Sequence, residues 1–254
     1  MTSAHLASLA DADPQIREAR AILLDWDGCL IHGDQLAPGA RDLLQRWRDR
    51  IVLLSNQSAI EARDIQAFLR RRGVDLPEGQ ILLAGEFALS FARTEFPGAH
   101  IHLIASYALR QRAQKLRISL TDAEDADIVL VLRDPKLSFA QLGPAISAVR
   151  SGARLVASNP DRTHPSATGT LVVETGTVAA AISFAAGGAP ITFLGKPRAG
   201  MFETALAIMD ALPSQAVMIG DNPETDGLGA ASMGIRFLQI DAPTTGPARS
   251  ESAD

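Results

Sequence analysis

Eight short apolar runs, separated by longer stretches with helical spacing, constrain the fold of this 254-residue chain more than any other feature. Ala21–Leu24, Ile51–Leu54, Ile101–Ala105, Ile128–Leu132, Arg154–Ala157, Ile191–Leu194, Ala216–Ile219 and Ile235–Ile240 read as strands. Several are almost wholly apolar, as strands buried on both faces are. Between them Pro38–Arg50, Ile60–Arg72, Glu86–Phe96, Phe139–Arg150, Val178–Ala186, Arg198–Leu212 and Glu224–Met233 carry helical periodicity, with Met201, Ala205, Ile208 and Leu212 on one stripe. This alternation predicts an α/β fold with mainly parallel sheets. The turn-rich breaks at 73–79 and 187–190 divide the chain into a discontinuous unit, 1–75 with 190–254, and an inserted segment, 76–189.

Four strands lead into polar groups. The first runs into Asp25-Trp26-Asp27-Gly28. With 19 aspartates in the chain, about one or two Asp-x-Asp triplets arise by chance and three occur, so the triplet alone carries no signal. The preceding apolar run and the following glycine set this one apart, because they place both carboxylates where open α/β sheets bind ligands. The second strand ends at Ser55-Asn56, a hydroxyl and an amide that suit a site but also an ordinary strand exit or the N-cap of the helix near Ile60. The third leads to Gly195-Lys196-Pro197; the lysine suits a phosphoryl oxygen or a solvated loop, and the proline suits the first turn of the next helix. The fourth ends at Gly220, followed by Asp221, Asn222 and Asp226, a spacing that lets one aspartate reach a metal and the other hold its water.

In this order, acid pair, hydroxyl, lysine, acid pair, the sequence resembles the haloacid dehalogenase superfamily, within it the NagD-like and pyridoxal phosphate phosphatases with a large α/β cap between the second and third motifs. Pro38-Gly39-Ala40, Leu54-Ser-Asn-Gln57 and Ala157-Ser-Asn-Pro-Asp161 followed by Pro165 carry the same likeness. The resemblance implies a Rossmann-like core, 1–75 and 190–254, with cap 76–189. It implies a Mg2+-dependent phosphatase of small phosphate monoesters of the sugar, nucleotide, glycerol or pyridoxal type. Asp25 would be the nucleophile that becomes an aspartyl-phosphate and Asp27 the general acid and base, with Ser55 and Lys196 holding the phosphoryl oxygens. Asp25, the Asp27 carbonyl and Asp221 would bind the metal, Asn222 or Asp226 steadying its shell. Substrate would meet Ser55, Asn56, Asn159, Asp161, His164 and Lys196. A mutase or other phosphotransferase, and a catalytically idle protein of the same fold, are the alternatives; a phosphoacceptor signalling domain would be much smaller.

Charge arithmetic favours a cation independently. Asp25, Asp27 and Asp221 against Lys196 leave about -2, and a phosphate ester brings roughly another -2. At ~5 Å and an effective dielectric near 20, each unit repulsion costs about 3 kcal/mol, which a divalent ion offsets. The chain as a whole is acidic, with 24 basic against 29 acidic residues. That balance argues against nucleic-acid or membrane-surface binding and leaves a small phosphorylated metabolite as partner. No run of about 18 apolar residues and no signal-peptide pattern occurs, so a cytoplasmic protein is expected. Cys29, the single cysteine, excludes an intrachain disulfide and reads as a small buried residue. A cap of this size allows a homodimer, although no self-complementary face is legible. The polar tail after Ile240 is expected to fray, and Lys115 and Lys136 to lie on the surface.

Overall fold

The computed structural model describes residues 14–166 and 170–240; His5 and the tail after Ile240 lie outside the described residues. Its strands are β1 (Ala21–Leu24), β2 (Ile31–His32), β3 (Gln35–Leu36), β4 (Ile51–Ser55), β5 (Ile81–Leu83), β6 (Ile101–Ile104), β7 (Ile128–Val131), β8 (Arg154–Ala157), β9 (Thr163–Pro165), β10 (Leu171–Val173), β11 (Ile191–Phe193), β12 (Ala216–Gly220) and β13 (Arg236–Gln239). The α-helices are α1 (Pro14–Glu18), α2 (Ala40–Arg46), α3 (Ala62–Arg70), α4 (Ala84–Glu95), α5 (Tyr107–Lys115), α6 (Phe139–Arg150), α7 (Thr175–Ala185), α8 (Ala199–Ile208) and α9 (Leu228–Ser232).

Two parallel sheets organise these elements. The first has the order β13-β12-β1-β4-β5 and the second β11-β8-β7-β6. Strand β1 is buried along its whole length because the two-residue period splits its side chains between two cores. Ile22 and Leu24 pack with Leu43, Leu44 and Ile65 of α2 and α3 on one face. Leu23 packs with Met201, Phe202 and Ala205 of α8 on the other. The second sheet repeats the pattern, with Leu130 facing α4 and α5 and Val129 and Val131 facing α6 and α7.

The mainly parallel α/β fold read from the sequence is the fold observed, with several local differences. Strand β5 was not expected, being three residues long, and it pairs with β4 in the first sheet although it falls within 76–189. Strand β11 pairs with β8 in the second sheet although it falls within 190–254. Helix α5 escaped notice because its segment YALRQRAQK is strongly polar and buries only Leu109 and Ala113. The apolar stripe of α8 stops early: the helix ends at Ile208, and Leu212 beyond it is 64% exposed. Pro197 is not in the first turn of α8, since Arg198 is the N-cap. Among the described residues no helix is long and apolar enough to cross a membrane.

Helix α4 straddles both sheets. Ala84 packs with Leu23 and Phe202 under the first, whereas Ala88, Leu89 and Ala92 pack with Ile101 and Leu130 under the second. The C-terminal ends of β1 and β11, one from each sheet, converge at the ion pair between Asp25 and Lys196.

Candidate active site

Asp25 directly follows β1, and its backbone N–H continues the strand pairing by donating to the Ile219 carbonyl at 2.9 Å. Trp26 is buried against Phe68, ring centroids 5.6 Å apart, so the carboxylates on either side of it project away from that core. Gly28 has φ 84, and a Cβ there would overlap the Asp221 carboxylate. At Gly220 a Cβ would overlap the Asp226 carboxylate. Both glycines are therefore required by close approach of an acid, and Gly28 also by its left-handed backbone.

Lys196 is 1% exposed, and its Nζ lies 2.6 Å from Asp25 Oδ1 and 2.6 Å from Asp226 Oδ1. Burial by itself would lower the lysine's proton affinity, but Asp226 and Asp25 reverse that and hold it above its ordinary value. Oxygens of Asp25, Asp221 and Asp226 all lie within 4.8 Å of one another. Asp221 and Asp226 are each pushed up to about 7, first by burial, with the neighbouring Asp25 charge adding to it. Asp27 is reached by solvent yet enclosed by protein, and it too is pushed up to about 7 by burial, then by Asp25 and Glu174.

Four carboxylates thus surround one ammonium, and burial, with the Asp25 charge adding to it, raises the proton affinity of Asp27, Asp221 and Asp226. Hard oxygen donors with surplus negative charge fit a divalent cation, which would compete for the same oxygens. The side chain of Asp27 stands outside the Asp25, Asp221 and Asp226 cluster.

Ser55 ends β4 and is 2% exposed, its Oγ accepting the Gln57 N–H at 3.1 Å. Asn56 spends its amide on the backbone of Lys196. Its Oδ1 accepts the Lys196 N–H at 2.9 Å, and its Nδ2 donates to the Lys196 carbonyl at 3.1 Å and to Asp161 Oδ1 at 3.2 Å. Asn159 is fully buried and donates to the Asn56 carbonyl at 2.7 Å, so it braces the loops and has no surface for a substrate. Asp161, pushed up to about 6 by burial against the lowering effect of the Asn56 bond, lies beside that clamp. Asn222, next to Asp221, caps the following turn, its Oδ1 accepting the Glu224 N–H at 2.9 Å.

His164, in β9, places Nδ1 2.7 Å from Glu174 Oε1. Arg133 and Glu174, each just past a strand, act electrostatically on Asp27 and were not singled out in the sequence. Cys29 is buried as expected, and burial pushes its thiol well up. Lys115 and Lys136 are exposed.

The sequence matches the haloacid dehalogenase-like hydrolase family over residues 22–119 and a related HAD-hydrolase-like family over residues 193–253. A dihydroxyacetone phosphatase of Corynebacterium glutamicum is 32% identical over 221 residues, 86% of this chain and 79% of that protein. Among solved structures, a 4-nitrophenylphosphatase from Thermotoga maritima superposes with a TM-score of 0.83 at 26% identity, covering 95% of this chain and 93% of that one. A glycerol phosphate phosphatase from Mycobacterium tuberculosis, in complex with calcium, gives a TM-score of 0.80 at 26% identity over 89% of this chain and 67% of that one.

Proposed function

This chain belongs to the haloacid dehalogenase-like hydrolases, and on that premise we propose that it is a Mg2+-dependent phosphatase of small phosphate monoesters. The observation that carries the reading is the buried Lys196 ammonium 2.6 Å from Asp25, beside the Asp221 and Asp226 carboxylates. The named activities of the relatives, all on small phosphate esters, support the substrate class.

In this mechanism an Asp25 oxygen bonds to phosphorus as the bond from phosphorus to the ester oxygen breaks. Asp27 gives that leaving oxygen its proton. Water then attacks the aspartyl-phosphate while Asp27 takes up the water's proton, which releases phosphate and regenerates Asp25. A carboxyl pushed up to about 7 suits both directions of that transfer near neutral pH. Lys196 orients Asp25 through their 2.6 Å contact, and with the Ser55 hydroxyl it holds the transferring oxygens. Mg2+ held by Asp25, Asp221 and the Asp27 carbonyl would neutralise phosphoryl charge. Asp226, paired with Lys196, steadies both lysine and cation site.

The first sheet is read as the catalytic core and the second as a cap. Sheet membership supports boundaries close to Gly85 in α4 and Leu194 after β11.

The test is phosphate release from a set of phosphorylated metabolites and p-nitrophenyl phosphate, with Mg2+ and with EDTA. Release with Mg2+ and its loss in EDTA is the expected result. Release from none of them would overturn the reading in favour of an idle protein of this fold.

A further inference from the structure

Ser58 stands three residues beyond Ser55, is fully buried, and ties the loop after β4 to three segments of the second sheet's layer. Its Oγ accepts the Arg133 backbone N–H, just past β7, at 3.2 Å, and an Asn159 Nδ2–H, just past β8, at 3.3 Å. Those bonds fill both lone pairs of the hydroxyl. Its own proton therefore goes to Thr175 Oγ1, 3.1 Å away at the start of α7 and also fully buried. A hydroxyl engaged in this way has no capacity left for a substrate.

The constraint passes back to Ser55 through one residue. Gln57 donates its N–H to Ser55 Oγ at 3.1 Å, and its carbonyl accepts the Gly85 N–H at 3.1 Å. That first bond takes one Ser55 lone pair and leaves the hydroxyl proton for a phosphoryl oxygen. Helix α4 closes the other side: a Cβ on Gly85 would come within 2.9 Å of Ser58 Cα, so the segment cannot shift toward that helix. The Asn159 amide that reaches Ser58 also donates to the Asn56 carbonyl at 2.7 Å, and Asn56 clamps the Lys196 backbone. Segment 55–58 is thus held between α4 and the ends of β7 and β8.

We propose that Ser58 is a positioning residue for phosphoryl transfer: through its saturated hydroxyl, the docking of the second sheet's layer sets where the Ser55 hydroxyl meets the transferring oxygens. Ser58 itself touches no substrate. Donors aimed at a transition state act only when held in place, and a displacement of about 1 Å can cost roughly 10^2 in rate. Thr175 is the second member of the device, because it takes the Ser58 proton. This inference rests on the phosphatase reading above.

The test measures kcat and KM on p-nitrophenyl phosphate with Mg2+, together with inhibition by orthovanadate, a mimic of the phosphoryl group in transit. Ser58→Ala should lower kcat by about 10- to 100-fold, change KM by less than about threefold, and raise the vanadate Ki in step with the fall in kcat. Ki does not depend on how many molecules are folded, so a variant that merely unfolds in part would lose kcat with Ki constant. Thr175→Val keeps the shape but removes the acceptor, and should show the same changes at smaller amplitude. Thr175→Ser, which keeps the hydroxyl, should restore most of the loss. Ser58→Ala should cost less in the Thr175→Val background than alone, as members of one network do. Unchanged kcat, a fall in kcat with Ki constant, a pure rise in KM, or equal losses in Thr175→Ser and Thr175→Val would overturn the inference while leaving the phosphatase reading intact. Phosphate release from no ester by the unsubstituted protein would overturn both. Were Ser58→Ala unfolded, the two Thr175 variants still decide.

Discussion

Lys196 and Asp25 are 171 residues apart in the chain and 2.6 Å apart in space, and they enter from different sheets. The pair therefore couples the docking of the two sheets to the orientation of the proposed nucleophile. Its second carboxylate, Asp226, comes from the turn after β12, so one buried ammonium gathers three segments. Removing one member of such a buried pair typically costs about 3–5 kcal/mol, because the partner is left uncompensated.

Asp25→Asn should reduce phosphate release from p-nitrophenyl phosphate by at least about 10^3-fold, since an amide cannot form the covalent intermediate. Far-UV circular dichroism should remain that of the unsubstituted protein, Lys196 keeping Asp226 as partner. Turnover unchanged in this variant would eliminate the aspartyl-phosphate route.

Asn56→Ala removes both side-chain bonds to the Lys196 backbone. Stability should fall by about 1–3 kcal/mol in urea unfolding, the usual cost of leaving buried polar groups unpaired. The fall in kcat should exceed any rise in KM, because the lysine rather than the leaving-group pocket is loosened. A pure KM effect would instead place Asn56 against substrate.

Divalent cation binding should raise Tm. At a hundredfold excess over Kd the gain is about 2.7 kcal/mol, worth several degrees in a protein of this size. Asp221→Asn should abolish the shift. Gly28→Ala should also weaken it, since the new Cβ pushes on the Asp221 carboxylate and the backbone is left-handed there. A full shift retained in both variants would put the ion elsewhere.

The Asp161 carboxyl, raised by burial from 3.8 to about 6, should make stability fall as pH rises through that interval. The folded state binds its proton more tightly than the unfolded chain does, so its contribution is fully present below about 4 and lost above about 6. Asp161→Asn should flatten this part of the profile of urea midpoint against pH, measured in EDTA, and raise the midpoint at pH 7. An unaltered slope between pH 4 and 6 would mean that Asp161 is not the group responsible.

Much of the first sheet was legible because its strands are continuous apolar runs and Asp25 and Asp221 each follow one directly. Asp25, Ser55 and Asp221 stood out as polar groups at strand ends, and the family resemblance supplied the roles expected of them. Strand β5 is too short to register, and α5 is too polar. The role of Asn56 was hidden for a different reason: an amide after a strand suits a cap as well as a clamp, and only the position of Lys196 distinguishes them.

The sequence by itself determined the parallel α/β architecture and the order of the four polar strand ends, since both follow from local periodicity along the chain. Tertiary structure alone decided that β11 delivers Lys196 from the second sheet, that Lys196 sits between Asp25 and Asp226, and that Arg133, His164 and Glu174 meet at one oxygen. Those pairings depend on how two sheets dock, and the electrostatic cost of burying each charge is offset only by partners distant in sequence.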